Sequence, residues 1–321
     1  MSIETEVFSQ KERIKEALGG VSWFLWKTKH PAMPGGTPEA AVALCNKIGA
    51  ESVCVKLTQG DKEYKPGGKS NVSKEWVEGV AKEGIKVSFW CYYNGADPAR
   101  SAKVFWDEYQ KYAGIDGVKP VAVLDLEVEA EKRPDLTIKF IEELRKISEG
   151  KLALVLCGWA FPDLHNPKKQ AEFAKRCDGV LPMVYGYGSD PATYIKMYNK
   201  SRAQWQRLDP RLAEDPELFV FGGRAYVGDG GTLREDNMKA DVVWAKINGT
   251  TGMIFWFLEW IGQYGPRYKI TNEFLKGLKK VWEQTPEGEQ NFILGIGGEQ
   301  LGLVGTAIIR ILDYLRKPHR D

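Results

Sequence analysis

The sequence predicts a (β/α)8 barrel of the α/β class, preceded by one helix and followed by an apolar helical extension. Three observations carry that expectation. A short apolar run followed by an amphipathic stretch recurs eight times along the chain. The runs are nearly continuous in Val, Ile, Leu and Phe, as strands covered on both faces of a parallel sheet are. Eight such units in about 260 residues match the size of this architecture. Residues 1–19 are expected to form the leading helix, residues 20–285 the barrel, and residues 286–321 the extension.

The strands expected in order are Val21–Lys27, Ser52–Leu57, Lys86–Tyr92, Val121–Val128, Leu152–Cys157, Gly179–Tyr185, Leu218–Phe221 and Gly252–Leu258. Helix starts are marked between them. Thr37, Asp97, Asn166 and Asp190 each precede a proline, which pairs a capping side chain with the residue best suited to the first helical position. Ser73 and Asp135 are further capping candidates. Gly84, Gly114 and Gly150 are placed to end helices in the left-handed conformation. Ser101–Tyr112 and Ile138–Ile147 repeat apolar residues at three and four positions, the helical period. An open doubly wound sheet is the competing arrangement. The first strand, however, is followed by KTKHPAMPGG and not by the GxGxxG of a dinucleotide fold.

Thr5–Leu18 reads as an amphipathic helix, with Phe8, Ile14, Ala17 and Leu18 on one side, suited to closing the barrel floor. Asn291–Leu315 is apolar but interrupted by Glu299, Gln300 and Arg310, so it falls short of a membrane-spanning helix. Packing on the barrel or a second copy, docking to a larger assembly, and contact with a membrane surface all remain open for it.

Composition narrows the function classes. The 45 basic and 43 acidic residues leave a net charge of +2, with no basic stripe for nucleic acid. The five cysteines, three of them in strand-like runs, have no CxxC spacing and read as buried thiols. Three histidines without HExxH spacing give no basis for a metal site, and no cofactor is expected. The opening MSIETEVFSQ lacks the basic and apolar regions of a secretory signal. Synthesis in the cytoplasm is therefore expected, with action elsewhere after lysis or carriage on a phage particle.

The chemistry of a barrel gathers where its strands end, in the loops that lead into the helices. The fourth run, VAVLDLEVEA, places Asp125 and Glu127 there. Residues two apart in a strand share a face, about 6–7 Å from one another. Both carboxyls should therefore enter the pocket, while Glu129 and Glu131 lie beyond it in solvent. Two acids that close push one toward its protonated form, the state a general acid needs, while the other can steady developing positive charge. The opposing possibility is a salt-bridge network around an Arg or Lys. Aromatic residues cluster at the same strand ends: Trp23 and Trp26, Trp90 and Tyr92, Trp159, Tyr185 and Tyr187, Trp256. Such rings offer rigid apolar walls to the C–H faces of sugars. Lys56 and Glu259 complete the candidate substrate-binding set, with Trp23, Trp90, Tyr92, Trp159, Tyr185, Tyr187 and Trp256. The glycine-rich FGGRAYVGDGGT has no Walker pattern and reads as a loop at the site, carrying Arg224, Tyr226 and Asp229.

Over residues 20–260 the chain resembles the family-25 glycoside hydrolases, the lysozyme-like muramidases. ESVCVKLTQGDKEY is similar to their second strand and loop, and IKVSFWCYYNGADPARSAKVFWDEY to their third strand and helix. VKPVAVLDLE resembles their fourth-strand Asp-x-Glu ending. The resemblance implies Glu127 as general acid, with Asp125 positioning an N-acetyl group or stabilising an intermediate. GGVSWFLW lacks the Asp that the family carries on its first strand, and Glu259 is the nearest counterpart of its last acid. The chain also resembles family-18 chitinase-like barrels, through the same Asp-x-Glu, Met183-Val184-Tyr185 and Trp256. In those barrels an Asp stands where Val123 does here, and Asp or Asn stands where Gly186 does.

The expected function is hydrolysis of an N-acetylhexosamine polymer, peptidoglycan foremost. The alternative is a barrel that binds glycan, or serves a phage or other assembly, without catalysis. A barrel enzyme acting on a phosphorylated metabolite lacks a phosphate loop.

Overall fold

The computed structural model describes residues 9–186, 190–228 and 232–286. Eight parallel strands close into a barrel: β1 (Gly20–Leu25), β2 (Ser52–Gln59), β4 (Lys86–Tyr92), β5 (Val118–Asp125), β6 (Ala153–Trp159), β7 (Gly179–Met183), β8 (Val220–Arg224) and β9 (Gly252–Trp256). Each pairs in parallel with its neighbours, and β1 closes the ring by pairing with both β9 and β2. A two-residue strand, β3 (Lys62–Glu63), folds back antiparallel on the end of β2. The predicted (β/α)8 class is the observed one.

The helices lie outside the ring, in order α1 (Gln10–Leu18), α2 (Pro38–Ile48), α3 (Lys74–Lys82), α4 (Pro98–Gln110), α5 (Val128–Lys132), α6 (Pro134–Ile147), α7 (Pro167–Ala174), α8 (Pro191–Leu208), α9 (Arg211–Glu214), α10 (Glu235–Ile247), α11 (Leu258–Tyr264) and α12 (Asn272–Gln284). Thr37, Ser73, Asp97, Asn166 and Asp190 all cap as expected, each side chain accepting an N–H of the first turn. Asp135 does not cap. Pro134 already occupies the first helical position of α6, so Asp135 falls inside the first turn. Gly84 and Gly150 adopt positive φ, whereas Gly114 does not: α4 already ends at Gln110, with Lys111 as its cap.

Strand alternation divides the core into two layers. Val53, Val55, Phe89, Leu124, Leu154 and Leu156 point outward against the helices. Cys54, Val121, Val123, Ala153, Val155 and Ile254 fill the barrel. Ile14, Ala17 and Leu18 of α1 belong to the inner layer, so this helix closes the N-terminal floor. The fit is close enough that a Cβ on Gly252 would lie 2.2 Å from the Leu18 carbonyl oxygen. Ser52 fastens the helix by donating its hydroxyl to the Ala17 carbonyl at 2.5 Å. All five cysteines are buried and unpaired. Phe8, Tyr187, Asp229 and the Asn291–Leu315 extension lie outside the described residues.

Candidate active site

The C-terminal ends of the strands carry an aromatic floor. Phe24, Trp90 and Trp256 meet edge to face with ring centroids 5.5–5.9 Å apart. Trp26 joins at 6.0 Å from Trp256, and Phe257 at 4.9 Å from the same ring. These residues come from β1, β4 and β9, three adjacent or near-adjacent staves whose inward positions are all aromatic at one level. Trp90 is fixed further by its indole N–H, which donates to the Leu25 carbonyl at 3.2 Å.

Asp125 ends β5 on the inner face, between Tyr92 of β4 and Cys157 of β6 in register. The strand stops there, two residues before the second acid. Glu127 has φ −105° and ψ −145° and opens the short helix α5, its side chain making no capping bond. The expected strand through Val128 is thus cut short: the backbone turns into α5 at Glu127. The two carboxyls nevertheless share one environment. Burial holds Asp125 well above the usual carboxylate range, and Glu127 pushes it further up, while Lys56 opposes both. Glu127 is raised by burial and by Glu129, again against Lys56. Asp125 Oδ1 is buried and has no hydrogen-bond partner among the described residues. A proton at this pair is therefore held to higher pH than on a free carboxyl, and it titrates as a property of the pair.

Glu129 and Glu131, expected in solvent, are engaged. Glu129 accepts the Tyr92 hydroxyl, and that bond holds its carboxyl below the ordinary range. Glu131 accepts the Gln170 amide at 2.9 Å and lies 3.6 Å from His165 Nδ1. His165 in turn stacks on Trp159 at 4.0 Å, which covers one face of that indole at the edge of the mouth.

Lys56 rises from the inner face of β2 beside Trp90. Burial brings its ammonium down to about 8, with Asp125 and Glu127 acting in the opposite direction. Tyr185 follows β7 on the inner side, its ring 5.7 Å from Tyr226. Burial raises it well above the ordinary tyrosine range, with Asp125 and Glu127 among the further causes. Arg224, fully buried, braces this side by donating to the carbonyls of Tyr185 and Gly228.

Asp125, Glu127, Lys56, Trp90, Tyr92, Tyr185 and Trp256 therefore gather at one mouth, with Trp159 at its edge. Two expected members do not. Trp23 is 1% exposed and packs outward with Phe255, because alternation along β1 sends Ser22, Phe24 and Trp26 inward. Glu259 is 0% exposed in the first turn of α11 and accepts the backbone N–H groups of Trp26 and Lys27 at 3.0 and 2.8 Å. Burial raises it to about 8, against those bonds. It ties down the end of β1 and has no open side for a sugar. Asn71, which carried no sequence signal, completes that tie. It donates to the carbonyls of Trp26 and Lys56 at 3.1 and 2.8 Å and accepts the Thr28 N–H at 3.1 Å.

No family model matches the sequence, and no curated protein is found similar to it. Solved structures are similar in fold. A group IV chitinase of Ostrinia furnacalis, solved with allosamidin, superposes with a TM-score of 0.60 at 12% identity, over 83% of this chain and 99% of that one. The human pseudo-chitinase YKL-39, described as retaining chitooligosaccharide binding, gives 0.56 at 10% identity, over 83% and 100%. The spore cortex-lytic enzyme SleL of Bacillus cereus gives 0.55 at 9% identity, over 83% and 74%. Of the two resemblances read in the sequence, this likeness supports the chitinase-like barrel and does not show membership of family 25. At such identities the likeness is one of architecture: the chain is a closed (β/α)8 barrel similar to those of glycosidases and a glycosidase-like glycan binder.

Proposed function

We propose that the chain is a glycoside hydrolase acting on an N-acetylhexosamine polymer, peptidoglycan foremost, with Glu127 as general acid and Asp125 as the assisting carboxylate. One observation carries the proposal: a coupled carboxyl pair, raised by burial, stands at the strand ends over an aromatic floor. The floor gives a sugar ring apolar faces to lie on. Glu127, nearer the opening, donates its proton to the departing glycosidic oxygen. Asp125, deeper and without a partner on Oδ1, faces the positive charge or the N-acetyl group that develops as the bond breaks. As the proton leaves Glu127, the pair gains negative charge, which the field of the Lys56 ammonium offsets.

A second reading has its own support. Val123, the inward residue one step below Asp125, is fully buried and apolar, and Asp125 Oδ1 has no hydrogen-bond partner among the described residues to orient it. A barrel that binds glycan without cutting it would tolerate that. Purified cell walls distinguish the two. Hydrolysis clears a wall suspension, and the clearing stops in Glu127→Gln while that variant still sediments with walls. Sedimentation of the unaltered protein without clearing supports the binding module. Neither clearing nor sedimentation rejects both.

A further inference from the structure

Two ammonium groups face the mouth from the β1–β2 side. Lys56 is only 5% exposed. Its Nζ sits 4.5 Å from the centroid of Tyr64, 4.7 Å from Trp90, 5.5 Å from Tyr92 and 5.8 Å from Trp26. An ammonium has three donors. Among the described residues, Lys56 uses one, to the neutral Gln59 Oε1 at 3.1 Å, and forms no ion pair. Lys27 Nζ stands 4.6 Å from the ring of the same Trp26, also without an ion pair among the described residues. The two positive charges act on each other.

A desolvated cation with one neutral partner is costly unless an anion completes its surroundings. Asp125 and Glu127, two strands away by way of β4, supply part of that. Both, however, retain protons to higher pH than free carboxyls, which lowers the negative charge they offer. The backbone that carries both lysines is pinned: the Asn71 bonds hold the carbonyls of Trp26 and Lys56, and Glu259 holds the N–H groups of Trp26 and Lys27. The two ammonium groups are thus presented from fixed strand ends to a charge that the chain provides only in part.

We infer that Lys56 and Lys27 form a subsite for a carboxylate carried by the glycan, so that the barrel selects an acidic N-acetylhexosamine oligomer over a neutral one. The inference rests on the glycan-binding part of the function proposed above. Two sources share this chemistry: the free lactyl carboxylate of an amino sugar, as on peptidoglycan glycan without its stem peptide, and the ring carboxylate of a hexuronate.

Calorimetric titration of Glu127→Gln, which removes turnover, with three tetrasaccharides tests it: chitotetraose, a peptide-free peptidoglycan tetrasaccharide with free lactyl carboxylates, and a hyaluronan tetrasaccharide. At least one acidic oligomer is expected to bind about tenfold or more tightly than chitotetraose, the scale of one charge-assisted hydrogen bond. Which of the two binds tighter identifies the source. Adding Lys56→Met abolishes the preference, weakening binding of the acidic oligomer more than that of chitotetraose, and Lys27→Met, at a more open position, reduces it. Equal or tighter binding of chitotetraose overturns the inference and leaves the glycosidase proposal standing. Binding of none of the three overturns both. A preference that survives both lysine substitutions overturns the subsite.

Discussion

The two ends of the barrel treat polar groups in opposite ways. At the floor, α1 satisfies what it brings. Lys11 bridges Asp215 and Glu217 at 3.0 Å each, Lys15 reaches Glu217 at 2.8 Å, and Gln10 donates to the Gly150 carbonyl at 2.7 Å. Beneath them Ile14, Ala17 and Leu18 are fully buried. At the mouth, among the described residues, Asp125 Oδ1, Trp159 Nε1 and Arg224 Nε are buried without hydrogen-bond partners and Lys56 has no ion pair. A folded chain ordinarily pairs such groups. Buried groups without partners among the described residues also occur away from the mouth, as Ser22 on β1, Ser88 on β4 and Arg202 on α8 show; those at the mouth differ in standing beside two raised acids and an aromatic floor, which marks it as the candidate ligand-binding end.

That contrast can be broken at either end. The largest effect is expected at the mouth. Glu127→Gln should lower hydrolysis of a cell-wall or chito-oligosaccharide substrate by about 10²–10⁴-fold, the usual worth of a general acid, with the melting temperature nearly unchanged. Ile14→Ala should do the reverse. Emptying this fully buried position costs about 2–5 kcal/mol in a denaturant titration, while kcat of the folded fraction stays the same. Activity lost in step with Ile14→Ala, or stability lost with Glu127→Gln, would erase the division between the ends.

A subtler effect concerns pH. The proposed general acid Glu127 would act in its protonated form, so activity is expected to fall as pH rises through its pKa. Lys56 holds that pKa down; removing the cation in Lys56→Met lets it rise, and the alkaline limb of the kcat profile should move to higher pH. A shift to lower pH would mean that Lys56 does not act on the acid pair. Glu259 offers a stability counterpart. Its pKa is raised from 4.5 to about 8 on folding, so the folded state binds the proton more tightly, and stability declines as pH climbs between those values. Glu259→Gln should flatten that part of the melting-temperature profile. The smallest effect is expected for Lys11→Ala at the floor, within about 1 kcal/mol, because its partners are partly solvated ion pairs.

Much of this was legible in the sequence, for physical reasons. The eight apolar runs mark the staves because strands covered on both faces have no polar side to interrupt them. The prolines after Thr37, Asp97, Asn166 and Asp190 mark helix starts because both residues act locally. What was hidden is what local pattern does not encode. In a doubly buried strand both faces are apolar, so the sequence does not tell Trp23 from Trp26; the outward place of Trp23 emerges only from the phase of β1 in the closed ring. Leu126 and Val128 continue the strand alternation past Asp125, which concealed the turn into α5 at Glu127. Glu259 reads as an acid at a strand end, but its partners are backbone N–H groups more than 230 residues away. Asn71 sits in an unremarkable NVS, and only the closed barrel brings β1 and β2 within its reach.

The most direct measurement counts new reducing ends released from purified peptidoglycan or chito-oligosaccharide by the unaltered chain and by Glu127→Gln, at matched occupancy of substrate. Steady release by the first and near-zero release by the second, with equal binding, is the expected outcome. Equal release by both proteins, or binding by both with release by neither, contradicts acid catalysis at Glu127.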